Sequence, residues 1–431
     1  MEDDVVADEP LIDEFPTPKP TAPFRLISFA PFRHPAYARL WTGAFVSNIG
    51  TWMEAIALGI YIQEKTGQAA WTGTVAAAAF LPIAFVSPLG GALADRFPRK
   101  LLLISTNLFQ TALAAVLTVL FVIGDPSPLT ITFIALGNGV AAALGFPAFQ
   151  ALLPDLVPIE DLPGAIALSS AQYNLGRVVG PAIAGVVITL GGYAWAEGAN
   201  ALSFLAVVAV LLTLTLPRPA ADARDEKIIA SIIDGFRYVR RDAGLRIDAL
   251  AMCVNTFLAA PFIALVPAMA IEVLGTGRGG TSVLITAQGI GAVAMAFSLG
   301  SLVERFRPRR VLLVLMGALP FALVAYASAP NLAVSAVTLL VVGALYLGAL
   351  SSFTTIAQLR APPKLRGRIL AVYTVILGSL YPLGSVVQGK VADHIGLRAT
   401  TAGSAVLILL TLLATRVLRP GITAAIDSPV D

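Results

Sequence analysis

Residues 91–100 read GALADRFPRK, and residues 300–310 read GSLVERFRPRR. Both follow the order Gly-x-Leu-x-acid-Arg-Phe, then a proline and paired basic residues, and they begin 209 residues apart in a chain of 431. A pattern that returns once, at close to half the chain length, marks two copies of one unit. Each copy lies between apolar runs long enough to cross a bilayer, so it is a short charged turn at a membrane surface.

Composition agrees with that placement. The chain is 57% hydrophobic and 13% charged, with a mean hydropathy of +0.82, whereas a soluble domain carries about 25% charged residues. The net charge of +3 is scattered and no basic stripe is interleaved with aromatics, which argues against a nucleic-acid partner. The single cysteine, Cys253, allows no internal disulfide and reads as a buried, inert thiol. The first 23 residues hold seven acids and five prolines, with no basic or apolar region of a signal peptide.

About 20 apolar residues cross the hydrocarbon layer. Runs of that length fall at 40–62, 71–93, 100–123, 129–149, 165–190 and 194–216, then at 247–273, 281–303, 311–329, 332–357, 369–389 and 397–418. The expectation is an all-α integral membrane protein with twelve spans in two six-helix bundles. Its parts are a disordered acidic, Pro-rich tail (1–33), an N-terminal bundle (34–216), a linker (217–246), a C-terminal bundle (247–419) and a C-terminal tail (420–431). Within the linker Ile228, Ile229, Ile232, Ile233 and Phe236 recur at helical spacing, as in an amphipathic helix lying on a leaflet.

With the N-terminus cytoplasmic, all but five of the 29 lysines and arginines fall in cytoplasmic segments. That distribution puts both termini inside, in a multi-pass protein of the inner, or plasma, membrane. The turn between the fourth and fifth runs is the exception, with Asp155, Glu160 and Asp161 and no base.

Charge within a span is costly and marks function. Glu54, in the first run, and Arg177, in the fifth, are the two ionisable residues deep in apolar sequence. They read as a pair, either a structural ion pair or a proton- and substrate-responsive switch. Gly176, Gly180, Pro181 and Gly185 predict close helix packing and a bend beside Arg177. Asn48, Trp52, Asn138, Asn255 and Tyr346 are candidate cavity-lining residues among neutral polar and aromatic positions that otherwise serve packing. Such a lining suits a bulky amphipathic compound, neutral or cationic. No paired-carboxylate, His-rich, CxxC or phosphate-loop pattern is present, so neither an enzyme, a metal site nor a cofactor is expected.

The two charged turns resemble the signature of the major facilitator superfamily, which stands between spans two and three and again between spans eight and nine. The resemblance covers nearly the whole chain and implies two bundles that rock around a central site. It assigns a conformational latch to Gly91 and Asp95, with Arg96 and Arg99 as partners, and to Gly300, Glu304 and Arg305 in the second copy. The runs 48–54 (NIGTWME), 174–181 (NLGRVVGP) and 365–368 (LRGR) are similar to the bacterial branch of siderophore exporters and macrolide efflux proteins. The span-five run also resembles the drug:proton antiporter motif but has Ala184 and Ala167 where that motif has glycines. The resemblance implies a monomeric, proton-coupled exporter of a drug or siderophore, with protons, the lipid bilayer and the small-molecule substrate as its partners. Uptake of a nutrient on the same fold, and a non-transporting sensor or scaffold, are the alternatives.

Overall fold

A computed structural model describes residues 28–215, 228–363 and 365–427. The acid-rich start of the chain, residue 216 and the first part of the expected linker, 217–227, lie outside the described residues. The helices are α1 (Pro35–Thr66), α2 (Ala69–Arg96), α3 (Arg99–Ile123), α4 (Pro128–Leu152), α5 (Leu162–Thr213), α6 (Ile228–Arg241) and α7 (Ala243–Val254). They are followed by α8 (Phe262–Ala268), α9 (Gly277–Arg305), α10 (Pro308–Ala327), α11 (Leu332–Arg360), α12 (Arg366–Ile395) and α13 (Leu397–Leu418). No strand occurs among the described residues.

Eleven helical stretches there are long and apolar enough to cross a membrane. One of them, α5, has 52 residues and holds the fifth and sixth expected runs in a single element. Its helical conformation fails at Gly192, where φ is +74°, a region that residues with a side chain seldom enter. Another, Ala243–Val273, joins α7 to α8 through a π-helical turn at Asn255–Ala259 and ends in a second at Met269–Val273. Gln388 of α12 satisfies carbonyls within the first of these turns, donating to Phe257 O (2.9 Å) and Leu258 O (3.0 Å). In hydrocarbon no water could do so.

Local sequence sets the helix ends. Ser127 accepts from Thr130 N (3.1 Å), Asn331 from Val334 N (3.0 Å) and Asp242 from Leu245 N (2.6 Å), each a side-chain cap that satisfies an orphan donor. Proline follows the cap in α1, α4 and α10, and Gly67 closes α1 in the left-handed conformation.

The turns collect on two faces. A basic face holds the start of α1, the α2–α3, α4–α5, α9–α10 and α11–α12 turns, and α6. The opposite face holds the α1–α2, α3–α4, α10–α11 and α12–α13 turns, the break at Gly192 and the start of α9. The acidic α4–α5 turn, anomalous in sequence, takes its bases from neighbours: Arg99 Nη1 bonds Asp155 Oδ2, and His34 Nε2 bonds Asp161 Oδ2, both at 2.8 Å. Leu190, Trp195, Leu202, Phe133 and Val337 stand exposed on the outer surface, the belt that lipid covers.

The core has a lopsided plan. Toward the opposite face Ile56, Ile60, Ala69 and Ile188 pack in one cluster with Phe262, Leu265, Met269 and Leu284 from the second half of the chain. Toward the basic face each half has a cluster of its own, around Leu103, Leu152 and Leu168 in the first and around Leu312, Phe353 and Ile369 in the second. α6 closes the basic side of the second half: Val239 is buried in that cluster, while Ile233 and Phe236 remain exposed. Asp234 meets Arg368 at 3.3 Å.

Candidate functional site

The two halves meet along α2 and α12. A Cβ on Gly73 would strike the carbonyl of Ser385, one on Gly389 would stand 2.7 Å from Ala69 O, and one on Gly378 2.7 Å from Ala84 N. Around Gly91, by contrast, nothing lies within 4 Å of such a Cβ. The seam is therefore tight from the opposite face to mid-helix and open toward the basic face.

Polar ties reinforce the closed end. Arg278 of α9 grips Glu64 of α1 with two hydrogen bonds, Nε to Oε1 at 2.8 Å and Nη2 to Oε2 at 2.9 Å. Tyr193 Oη donates to the same Glu64 Oε2 at 2.6 Å. Gln63 donates to Glu272 and accepts from Thr72 Oγ1 at 2.7 Å. The N-terminus of α2 has no side-chain cap of its own. Asp393 of α12 supplies one across the interface, accepting from Ala69 N (2.7 Å) and Ala70 N (3.2 Å), where the helix dipole favours a carboxylate. Beside these ties, hydrogen bonds from Lys65 and then from Tyr61 hold the Asp125 carboxyl below its ordinary range.

The signature residues sit at the end where the seam is open. Asp95, Glu304, Arg305 and Gly300 are exposed, and Arg305 stacks on its neighbour Phe306 at 5.6 Å. Arg96 is exposed as well. Arg99 is not a partner of Asp95: it donates to Ala151 O (2.7 Å) and Asp155, which fastens the α2–α3 turn to the end of α4.

Glu54 and Arg177 are not paired with each other. Glu54, 6% exposed, accepts from the side-chain amides of Asn138 (α4) and Asn200 (α5), one on each oxygen. Arg177 turns to the other half of the molecule, donating to Gln288 Oε1 of α9 at 3.1 Å, and its guanidinium lies 5.4 Å over the ring of Trp52. The separation follows from helix geometry: neighbours on a helix surface are three or four residues apart, and Trp52 is two residues from Glu54, so the two residues face different directions. Charge alone on apolar helices could not distinguish these faces.

Other expected residues find packing roles. Gly176 lies on Asn48, whose Cβ would be 2.9 Å from a Cβ there. Gly180 lies on Trp52 and the Ile49 carbonyl at 2.7 and 2.8 Å, and Gly185 on Ser282 of the second half at 2.7 Å. α5 continues through Pro181 as helix, and its non-helical residue is Gly192. Trp52 also meets Tyr173 edge-on at 5.8 Å, and Tyr346 meets Phe262 at 5.6 Å. Asn255 is 1% exposed and its amide nitrogen lacks a partner.

Two fully buried acids were not singled out in the sequence. Glu197 and Asp248 are both 0% exposed; they stand near the ends of their runs, where span counting treats a charge as interfacial. Asp248 accepts from Tyr373 Oη at 2.7 Å. Near it Asp242 and Arg360 form a buried pair at 2.9 Å, and Arg360 Nη1 donates to Ile426 O at 2.8 Å, which pins the end of the chain. Burial opposes the charge on Asp242, but the hydrogen bonds from Arg360 and from Leu245 N outweigh it and hold the carboxyl below its ordinary range.

Helices in this number around a polar, two-halved interior make a multi-pass membrane transporter for a small molecule. Residues 26–428 match the family model of transmembrane secretion effectors, and the chain belongs to that family, in the efflux and siderophore-exporter branch of the major facilitator superfamily. It is 28% identical to the multidrug efflux pump Tap of Mycolicibacterium fortuitum, over 83% of this chain and 89% of that one. It is 27% identical to the enterobactin exporter EntS of Citrobacter koseri, over 79% and 81%, and 25% identical to macrolide efflux protein A of Streptococcus pyogenes, over 83% and 89%. The fold is similar to that of a D-xylose-proton symporter, with a TM-score of 0.71 at 11% identity over 92% of this chain and 100% of the other. It is also similar to the nucleoside transporter NupG, with a TM-score of 0.70 at 14% identity over 91% and 99%.

Proposed function

We propose that this protein exports a bulky amphipathic small molecule, a drug or siderophore, in exchange for protons by alternating access. The observation that carries the reading is the one-sided closure: ties between the halves gather at the Glu64–Arg278 end, while the α2–α12 seam is open around Gly91. A two-state transporter caught open to one side has this asymmetry.

The finer architecture follows from the same reading. At about 1.5 Å per residue a 52-residue helix would run about 78 Å, more than twice the roughly 30 Å hydrocarbon layer, so α5 is two spans turning at Gly192. That makes twelve spans, in two six-helix bundles joined by the 217–246 segment. The basic face is cytoplasmic by the distribution of lysine and arginine, in the inner, or plasma, membrane, and the protein works as a monomer. The signature acids Asp95 and Glu304 then form the latch of the other state, when the seam closes around Gly91.

Arg177 marks the substrate region. It lies between the halves, beside Trp52 and Gln288 and within Coulombic reach of Tyr173, Tyr346 and Tyr381. A guanidinium among aromatic rings suits a flat compound that is neutral or carries acidic oxygens. A cationic compound would call for an acid in the cavity, and Glu54 is enclosed within the first half by Asn138 and Asn200. The relatives named for multidrug, macrolide and enterobactin export support this substrate range.

The test is proton release from acid-loaded proteoliposomes challenged with macrolides, siderophores and lipophilic cations. Wild type is expected to collapse the gradient with a macrolide or siderophore, and Glu54→Gln to abolish the response. Equal responses from both proteins would overturn coupling through Glu54, and accumulation of the compound driven by inward proton flow would overturn export.

A further inference from the structure

The hydrogen-bond accounting around Glu54 does not close. Glu54 takes one amide hydrogen on each oxygen. Ser203 Oγ donates to the Asn200 carbonyl at 2.7 Å and lies 3.2 Å from Asn200 Oδ1, which places the amide oxygen toward Ser203 and the amide nitrogen toward Glu54. Gly50, one turn before Glu54, lets α5 come this close, since a Cβ there would strike Asn200 Oδ1 and Ser203 Oγ. One turn before Asn200 on the same helix is Glu197, fully buried, with neither carboxylate oxygen hydrogen-bonded. Asn138 Oδ1 is likewise buried and without a partner. All three orphans are acceptors, so what the cluster lacks is donors. Buried polar groups in folded proteins are nearly always paired.

Charge leads to the same conclusion. Glu54 is bonded to Asn200 and Glu197 stands one turn before Asn200, both buried, and no ion pair forms with either among the described residues. The helices against them bring no compensation: α3 has no charged residue beyond Lys100, α4 has none, and α2 has none before Asp95. On α1 the other charges are Arg39 at the far end and Glu64 with Lys65, engaged by Arg278 and Asp125. Arg177 is bonded to Gln288. Two like charges enclosed without a counter-ion do not both persist, and sharing a proton is the least costly remedy.

We propose that Glu54 and Glu197 form a shared proton-binding site in which Glu197 carries the exchangeable proton and Glu54 is the permanently hydrogen-bonded carboxylate. The proposal deepens the proton-coupled reading and rests on it. The asymmetry follows from the partners: Glu54 has two amide donors that favour its anion, and Glu197 has none. The site is also placed to act on the gate. Tyr193, which bonds Glu64 at the closed end, is one turn before Glu197, a spacing of about 6 Å between side-chain origins. Loading or releasing the proton changes the charge one turn below that tie.

Infrared difference spectroscopy of the full-length protein in liposomes, titrated in H2O and D2O without substrate, reads the proton directly. Wild type is expected to give a protonated-carboxyl C=O band that shifts on deuteration and is unaffected by exchanging sodium for choline. Glu197→Gln should lose the band, Glu54→Gln should keep it, and Glu197→Asp, which also controls for folding, should restore it. Survival of the band in Glu197→Gln, its loss in Glu54→Gln alone, or its displacement by sodium would each overturn the assignment. Failure of the export reading is seen separately, because a panel without any proton-coupled compound leaves this band to be measured as before.

Discussion

Arg278 and Glu64 lie 214 residues apart in sequence and form a two-pronged ion pair that joins the halves at one face of the membrane. With Tyr193 on the same carboxylate, the pair ties the two halves together at that face. Both side chains are partly exposed, so the tie contributes about 1 kcal/mol or less. That is enough to shift a two-state equilibrium about fivefold. In a Cys253→Ala background, Arg278→Gln is expected to raise labelling of a Thr72→Cys reporter, buried behind the tie, by a membrane-impermeant maleimide added from that face. Unchanged labelling would mean that the apolar seam alone holds the gate.

The seam can be tested by steric means. Gly73 faces the Ser385 carbonyl with no room for a side chain, and overpacking of a tight contact costs about 1–3 kcal/mol. Gly73→Leu should lower the melting temperature in detergent and abolish transport. Gly91→Ala, at the open end, should leave the melting temperature unchanged and slow transport, because the clash arises only when the seam closes there. Equal effects at the two glycines would refute a difference between the two ends.

Asp242 gives a pH signature outside the spans. Its carboxyl is held below the ordinary aspartate range by Arg360 and Leu245 N, so the folded state binds this proton more weakly than the unfolded chain. The stabilisation is present above the unfolded value and is lost as pH falls through the folded one. Melting temperature should therefore drop below about pH 4, and less steeply in Asp242→Asn. At neutral pH that variant leaves Arg360 buried without its anion and should lose about 3–5 kcal/mol. A neutral effect at pH 7 would show that Arg360 does not depend on Asp242 for its burial.

Separate surroundings for Glu54 and Arg177 make a double-mutant prediction. Glu54→Gln and Arg177→Gln should change stability additively, within about 0.5 kcal/mol, whereas a direct pair would couple by more than 1 kcal/mol. Arg177→Gln should also weaken export of compounds with acidic oxygens more than export of neutral ones.

Much of the fold is legible in one dimension because a bilayer simplifies the problem. Apolar runs of sufficient length become helices, charged turns stay at the surfaces, and the repeat at 91–100 and 300–310 announces the internal duplication. Caps such as Ser127, Asn331 and Asp242 can be read locally. Less of the site is legible. In a helix that is apolar all round, hydropathy does not choose which side packs inward, so Glu54 and Arg177 looked like one pair when their helix faces separate them. Glu197 and Asp248 looked interfacial because they stand near the ends of their runs.

The sequence by itself determined the class of solvent, the helices and their order, the repeat and its signature turns, since these depend on composition and spacing within a few residues. Only the tertiary structure decided which polar groups meet: Asp393 capping the α2 helix from the other half, Arg278 gripping Glu64, and Glu197 enclosed beside Glu54 without a donor. Those contacts depend on distances between helices far apart in the chain, which are set by small residues such as Gly50 and Gly73 allowing close approach. No local pattern encodes that distance.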